Sequence, residues 1–469
     1  MDAATLVAVE LNDAGLALAR ALDGGVAPVG EPSPGFAVLQ DDRVLLGAEA
    51  AARQRVTPLL AQNRFWQSLG LERLATGTRG FATQADLAHA HLGAVLAPAV
   101  RDGARDLLIA VPPGYSREQL GLLVGIANEC GVAVRGLVDQ GLAACATLPA
   151  AAHMLHLDLQ LHQAAATLVE ASRAEGVQRR ARYELLPGLG VLAFHQALAE
   201  EIATTFVRET RFDPLHEATT EQHLHDQLPG WLEALEREPE LPVEIEIGAP
   251  AHRITLQRAS LVAAVDRLAA DLLRLVQGSR PAGTLLHVCV TPRVAAVPGL
   301  LARLATLRDV VLVTLGPAAA AVGALQAAPS IVRAPDAIAL VHRLPLAAPG
   351  DAFAPAPDLA RAIEPASVPT HVLHRGLAWP LTPVPLTLGW STGAAERALT
   401  LPAGIAGVSR AHCTLRVVDG QALVEDHSTY GTFVNDERVG GRVALRVGDV
   451  LRLGAPGVTL ELIRVVDGA

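Results

Sequence analysis

Three groups of residues in this 469-residue chain carry side chains whose types and spacing could do chemistry. The first is the run Val408–Asn435. It sets Ser409, Arg410 and His412 close together, then Asp426, Ser428, Thr429, Tyr430, Gly431, Thr432 and Asn435. Polar side chains at this density in a stretch punctuated by turn residues belong on loops, where scaffolds carry their binding residues. The second group is His153, His156, Asp158 and His162, a set of metal-capable donors. On a strand His153 and His156 point to opposite faces, so no metal is expected there. The third, His223-Leu224-His225-Asp226, reads as a polar loop, and again no metal is expected. No Gly-x-Ser-x-Gly elbow, His-Glu-x-x-His helix, phosphate-loop motif or kinase signature occurs. All 38 basic residues are arginine, so no lysine can act as Schiff base, general base or phosphate ligand.

The elements that must position the first group are short strands. Leu386–Leu388, Cys413–Val417, Gln421–Val424 and Val458–Leu462 are apolar or alternating runs, and Asp419-Gly420 and Gly440-Gly441 are turn signals. Such spacing predicts an antiparallel sandwich with its loops gathered at one end. The ordered set Gly389, Ser409-Arg410-x-His412, Asp426, Ser428-Thr429-x-Gly431-Thr432, Asn435, Gly448-Asp449 and Leu453-Gly454 resembles the forkhead-associated (FHA) domain. That family is a β-sandwich that reads phosphothreonine peptides. The resemblance implies that Ser409, Arg410 and Thr429 face the phosphate and that Gly389, His412, Gly431, Thr432 and Asn435 brace the loops. The family's phosphate-binding Arg is Trp390 here, and its peptide-clamping Asn is Tyr430. A charged Arg–phosphate hydrogen bond is worth roughly 1.5–3 kcal/mol, so its loss weakens phosphate reading by about tenfold to a hundredfold. Arg397, in the following loop, is the candidate substitute. Two readings stay open, phosphothreonine recognition and a phosphate-independent protein contact.

Composition narrows the field. The length allows several domains, and 18% charged residues with 51% hydrophobic ones indicates globular folding. A net charge of −10, with no basic run beyond Arg179-Arg180-x-Arg182, argues against a nucleic-acid surface. Cys130, Cys145, Cys289 and Cys413 are far apart in sequence and read as buried thiols, neither a disulfide frame nor a zinc site. The N-terminus, with Asp2 and Glu10 around a short apolar stretch, does not read as a secretion signal, and no apolar run reaches membrane-span length. A cytoplasmic location without membrane attachment is expected.

Residues 1–344 alternate strand and helix signals. Leu107–Val111 is a buried-strand run; Ser116 with Gln119 can cap a helix that Gly131 ends. Leu198, Ile202 and Phe206 recur at helical spacing. In order along the chain, Val7–Leu11, Pro32-Ser33, Val44–Ala50, Ile109–Tyr115, Leu137–Asp139, Leu157–Leu159, Gly188–Phe194, Val288–Val290 and Ala321–Ala324 resemble the actin-like, ribonuclease H-like ATPase domain of DnaK-type heat-shock chaperones. The resemblance implies two glycine-tipped β-hairpins that hold ATP phosphates. This chain departs at those tips: Glu10-Leu11-Asn12-Asp13-Ala14 and Asp158-Leu159-Gln160-Leu161-His162 carry side chains where the family has glycines. Trp66 falls near the catalytic-lysine position, and Thr291-Pro292 near the adenosine glycines. Asp13 at about 5 Å from a phosphate would repel it by on the order of 3 kcal/mol at an effective dielectric of 20.

The expected organisation is therefore multidomain: an α/β actin-like ATPase fold over 1–344, an Ala/Pro-rich linker over 345–369, and an all-β FHA sandwich over 370–469. The expected role is that of an adaptor, binding a protein phosphorylated on threonine by a Ser/Thr kinase. Its N-terminal region would be a pseudo-ATPase without cofactor, with Glu10, Asn12, Asp13, Asp139 and Asp158 as its vestigial nucleotide site. The alternative is an active DnaK-like ATPase binding ATP and magnesium, regulated through its FHA domain.

Overall fold

The structure is a computed structural model that describes residues 5–22, 25–40, 43–78, 80–246, 251–281, 283–332, 338–346, 368–374, 377–393 and 395–463. The chain divides into two compact units, residues 1–273 with 287–356 and residues 274–286 with 357–469.

Unit 1 is built on two six-stranded sheets with one plan. In the first, β1 (Leu6–Glu10), β2 (Leu16–Leu22) and β3 (Gly25–Ser33) form an antiparallel meander. On the other side of β1 lie β4 (Asp106–Val111) and β5 (Ala133–Asp139), both parallel to it. The second sheet repeats this order with β6 (His153–Leu159), β7 (Gln163–Ser172) and β8 (Val177–Pro187) as the meander. Parallel β9 (Leu286–Val290) follows on the far side of β6, then β10 (Val310–Thr314). A late strand pair, β11 (Leu340–Val341) and β12 (Arg343–Pro345), adds one edge strand to each sheet.

The sequence signals for these elements have direct physical counterparts. All six residues of β4 are buried, as a strand covered on both faces requires. Helix α1 (Arg117–Glu129) starts on a reciprocal capping box between Ser116 and Gln119, and Gly131 follows its end at φ +83°. Helix α2 (Gln140–Cys145) is capped by Asp139. In α3 (Val191–Thr210), Leu198, Ile202 and Phe206 form the buried stripe. The expected polar loop at His223–Asp226 is instead inside helix α4 (Ala218–Arg237). Its buried face is Thr220, Leu224, Leu228 and Leu235, a helical spacing that the surrounding His, Gln and Glu residues obscure. A short helix α5 (Ala319–Gln326) lies against α2 closely enough that a Cβ on Gly323 would sit 1.9 Å from the Ala143 carbonyl oxygen.

The proposed linker start needs correction. Pro345 pairs with Val177, and the Leu346 N–H donates to the Gly176 carbonyl at 2.9 Å, so the chain is still tied to the sheet there. The remainder of that stretch, 347–367, lies outside the described residues.

The C-terminal sandwich has two sheets. One is ordered β14-β13-β23-β22-β19-β20, comprising β13 (His371–His374), β14 (Leu377–Pro380), β19 (Thr432–Val434), β20 (Glu437–Arg438), β22 (Val450–Leu453) and β23 (Val458–Ile463). The other is ordered β16-β15-β17-β18-β21, from β15 (Leu386–Gly389), β16 (Arg397–Thr400), β17 (Cys413–Val418), β18 (Gln421–Asp426) and β21 (Arg442–Leu445). Asp419 and Gly420 join β17 to β18 with φ +50° and +76°, the doubly positive turn that matches strand twist. Leu388, Leu415, Val424, Leu451 and Leu462 fill the space between the sheets. Among the described residues no helix is long and apolar enough to cross a membrane.

Candidate functional site

The repeated plan of unit 1 brings two hairpin tips together. β1 runs into Glu10-Leu11-Asn12-Asp13, and β6 into Asp158-Leu159-Gln160-Leu161, so Glu10 and Asp158 hold equivalent places in the two sheets. The tips are bonded to each other directly. Asn12 Nδ2 donates to Asp158 Oδ2 at 2.7 Å and to the Leu159 carbonyl at 3.2 Å. The Leu161 N–H donates to Asp13 Oδ1 at 2.7 Å.

A residue that sequence reasoning missed completes the arrangement. Arg293 lies in the short helix Pro292–Ala295 that opens, on a helix-starting proline, directly after β9. Its Nη2 donates to Glu10 Oε1 at 2.8 Å and to Asp158 Oδ2 at 2.9 Å, and its Nε to Asp158 Oδ1 at 3.0 Å. Thr291 Oγ1 and Gln140 Nε2 add bonds of 2.7 and 3.2 Å to Asp158, and the Leu159 N–H another of 2.8 Å. With Asn12, this makes six hydrogen bonds on a carboxylate that offers about four lone-pair sites, so it has none left for a metal ion. Glu10 Oε2 is taken by the Ala320 N–H at the start of α5, 3.1 Å away. Burial would raise the Asp158 pKa, but Arg293 and these donors outweigh it and hold the group below the usual carboxylate range. The same two carboxylates hold the Arg293 proton more firmly than in water, against the burial that opposes its charge.

Asp139, expected in the same site, is spent elsewhere. It caps α2 through the Leu142 N–H and pairs with Arg180 Nη1 at 2.8 Å. Trp66 is buried with its Nε1–H on His91 Nδ1 at 2.9 Å. Asp13 is buried too, and burial pushes its carboxyl up to about 6 despite the Leu161 N–H and the Arg293 charge. Space near the cluster is small: a cavity of about 200 Å³ at the hairpin tips and one of about 150 Å³ beside Arg293 and His156. Both fall below the roughly 300 Å³ at which pockets for drug-sized ligands begin. A further bridge joins Arg55 to α4, with its N–H on Gln222 Oε1 at 2.9 Å and its Nη1 on Glu221 at 2.8 Å. Among the described residues no three His, Cys, Asp or Glu side chains gather as a metal site.

In the C-terminal unit the polar run of residues 408–435 forms one end of the sandwich. β15 ends at Gly389, where a Cβ would lie 1.9 Å from the Arg410 carbonyl oxygen. That closeness lets the Ser391 N–H donate to the Arg410 carbonyl at 3.0 Å and lays the Arg410 guanidinium over the Trp390 ring, 5.4 Å from its centroid. Ser409 Oγ accepts from the Thr429 N–H at 3.2 Å, which joins the two loops and leaves the Ser409 hydroxyl hydrogen to donate outward. His412 is fully buried. Its Nδ1 accepts from the Ser409 N–H at 3.0 Å, so its Nε2 carries the proton donated to the Gly431 carbonyl at 3.1 Å. Asp426 Oδ1 accepts from the Ser428 N–H at 3.0 Å and from Thr432 Oγ1 at 2.7 Å, and Ser428 Oγ from the Gly431 N–H at 2.7 Å. Residues 394–454 match the family model of the FHA domain.

The C-terminal unit carries an FHA domain, a phosphoprotein-binding interaction module. The match covers 61 of the chain's 469 residues, and no curated protein matches the chain. Within the FHA domain Ser409, Arg410, Thr429 and Tyr430 share one end, with Thr429 and Tyr430 exposed. Asn435 is structural: it bonds Asp449 Oδ1 and the Val450 N–H, each at 2.9 Å, and holds φ +50°. Arg397 does not join the site. Parallel pairing sets it beside Leu386, at the start of β15, while the Ser409 loop meets the other end at Gly389. Its guanidinium donates to the Pro380 and Val384 carbonyls and to Thr382. Arg438, which no local motif marks, packs its guanidinium against Gly431 at the tip of the 428–431 loop.

Two outcomes follow for the hairpin cluster. Arg293→Ala leaves two buried carboxylates uncompensated and lowers the stability of unit 1 by about 3–5 kcal/mol in urea titration at pH 7, while adding Asp158→Asn restores part of the loss. Because burial raises the folded-state pKa of Asp13 to about 6, above that of an aspartate in water, the favourable contribution of its proton is present below pH 4 and is lost by about pH 6. Asp13→Asn, which keeps the acceptor for Leu161, therefore stabilises the protein above pH 6 by roughly 2–3 kcal/mol. The gain fades toward pH 4 when melting temperatures are compared across that range.

Proposed function

We propose that this protein is a non-catalytic adaptor that binds partner proteins through its FHA domain by reading a phosphorylated threonine. The observation that carries the reading is the join between the two site loops. Ser409 and Thr429, the positions with which this family holds phosphate, meet at 3.2 Å, and the exposed Arg410 stands beside them. Trp390 replaces the family's arginine, yet its ring holds the Arg410 guanidinium, so positive charge is retained at that end. The partner would be a protein phosphorylated by a Ser/Thr kinase.

Unit 1 is read as a degenerate DnaK-type, actin-like ATPase fold that holds no nucleotide. Supporting this are the duplicated strand order, the two hairpin tips at equivalent positions, and the guanidinium lodged between their carboxylates. The alternative, an active ATPase using ATP and magnesium, requires Arg293 to leave Glu10 and Asp158 and the Asn12–Asp158 and Asp13–Leu161 bonds to open. Nothing in the donor set replaces what would be lost. C-terminal to these sheets the chain carries an interaction module.

The test is a fluorescence-anisotropy screen of phosphothreonine peptides, each with its unphosphorylated twin, against the full chain. The expected result is selective binding that Ser409→Ala weakens by about tenfold to a hundredfold, the value of one hydrogen bond to a charged group. Equal affinity for phosphorylated and plain peptides would leave a phosphate-independent contact in its place.

A further inference from the structure

The cavity at the hairpin tips has a chemistry of its own. Its polar lining includes Asp13, Gln160 and Gln163, and its apolar walls include Trp66, Pro113 and Leu185. Gln67, Gln163 and Gln160 form a directed relay: Gln67 Nε2 donates to Gln163 Oε1 at 3.3 Å, and Gln163 Nε2 to Gln160 Oε1 at 2.7 Å. The relay ends on the Gln160 amide nitrogen, which has no protein partner among the described residues although Gln160 is only 6% exposed. The same cavity is lined by Asp13, also 6% exposed, whose carboxyl accepts from the Leu161 N–H. A donor and an acceptor, both more than nine-tenths buried, thus line one small space whose walls are partly aromatic.

From this geometry we infer that the cavity binds a small uncharged polyol, of about monosaccharide size, through Gln160 and Asp13. An anion is disfavoured because Asp13 is the one charged side chain lining the cavity. A simple cation gains nothing from the Gln160 amide nitrogen, which can only donate. Hydroxyl groups satisfy both, since each donates one hydrogen bond and accepts others, and the C–H face of a polyol can lie on the apolar walls. The volume of about 200 Å³ has room for about six or seven water molecules, equivalent to one compact molecule of about a dozen non-hydrogen atoms. The inference concerns a site separate from the FHA loops and does not depend on phosphothreonine reading.

The experiment is saturation-transfer NMR on the full chain with a panel of aldohexoses, pentoses and cyclic polyols. Methylguanidinium and inorganic phosphate serve as charged controls. At least one polyol is expected to show saturable transfer at concentrations up to about 10 mM, with neither charged control doing so. Gln160→Leu, which removes the donor, and Leu185→Trp, which fills the half-buried wall, are each expected to weaken it at least about tenfold. Circular dichroism verifies that both variants are folded, and the Leu185 variant keeps the test valid if the Gln160 variant is not. Transfer to no polyol, transfer to a charged control instead, or polyol binding indifferent to the folded variants would each overturn the proposal.

Discussion

The N-terminal unit depends on one partly buried guanidinium. Arg293 reaches across from the end of β9 to the tips of two hairpins that are otherwise separated by about 150 residues of chain, and pairs with a carboxylate on each. Without it two buried carboxylates would face each other with no cation between them. Once the cation is in place, the rest follows: Asn12 and Asp13 can bond the opposite hairpin, and α5 can present the Ala320 amide to Glu10. An intramolecular arginine does here the neutralising work that a bound cation does elsewhere. Because it is covalently attached, its local concentration does not fall when the solution is diluted.

The FHA domain solves a different problem with similar means. Its loops have to be stiff enough to present Ser409 and Thr429 together. A buried imidazole of defined tautomer spans from Ser409 to Gly431, and Asp426 gathers Ser428 and Thr432 on the other side. Burial keeps His412 less basic than in water, which favours the neutral ring that this pairing needs.

Much of this was legible in the sequence, and the limits have physical causes. Turn chemistry and capping are local, so Asp419-Gly420, the Ser116–Gln119 cap and Gly131 could be read directly, as could the carboxylates at the ends of β1 and β6. The FHA spacing was legible because its loop-bracing residues fall at short, fixed intervals. Arg293 was not, because its partners lie 283 and 135 positions away and no local pattern marks a side chain as reaching that far. The available clue was the repeat itself: β9 stands to β6 as β4 stands to β1, so the residues after β9 had to face the hairpins. Arg397 was misplaced because loop proximity in sequence says nothing of parallel register, and α4 was missed because its charged face outweighs three buried leucines. Asp139 was grouped with the hairpin acids on order alone; its pairing with Arg180 is a tertiary fact.

The most direct measurement of the central claim is isothermal titration of the full chain with ATP and magnesium at pH 7. If, as we propose, Arg293 and the hairpin side chains fill the places where the ATPases this unit resembles hold phosphate and metal, no saturable heat appears up to about millimolar nucleotide. Stoichiometric binding in the micromolar range would mean that the guanidinium yields its place, and would contradict the account.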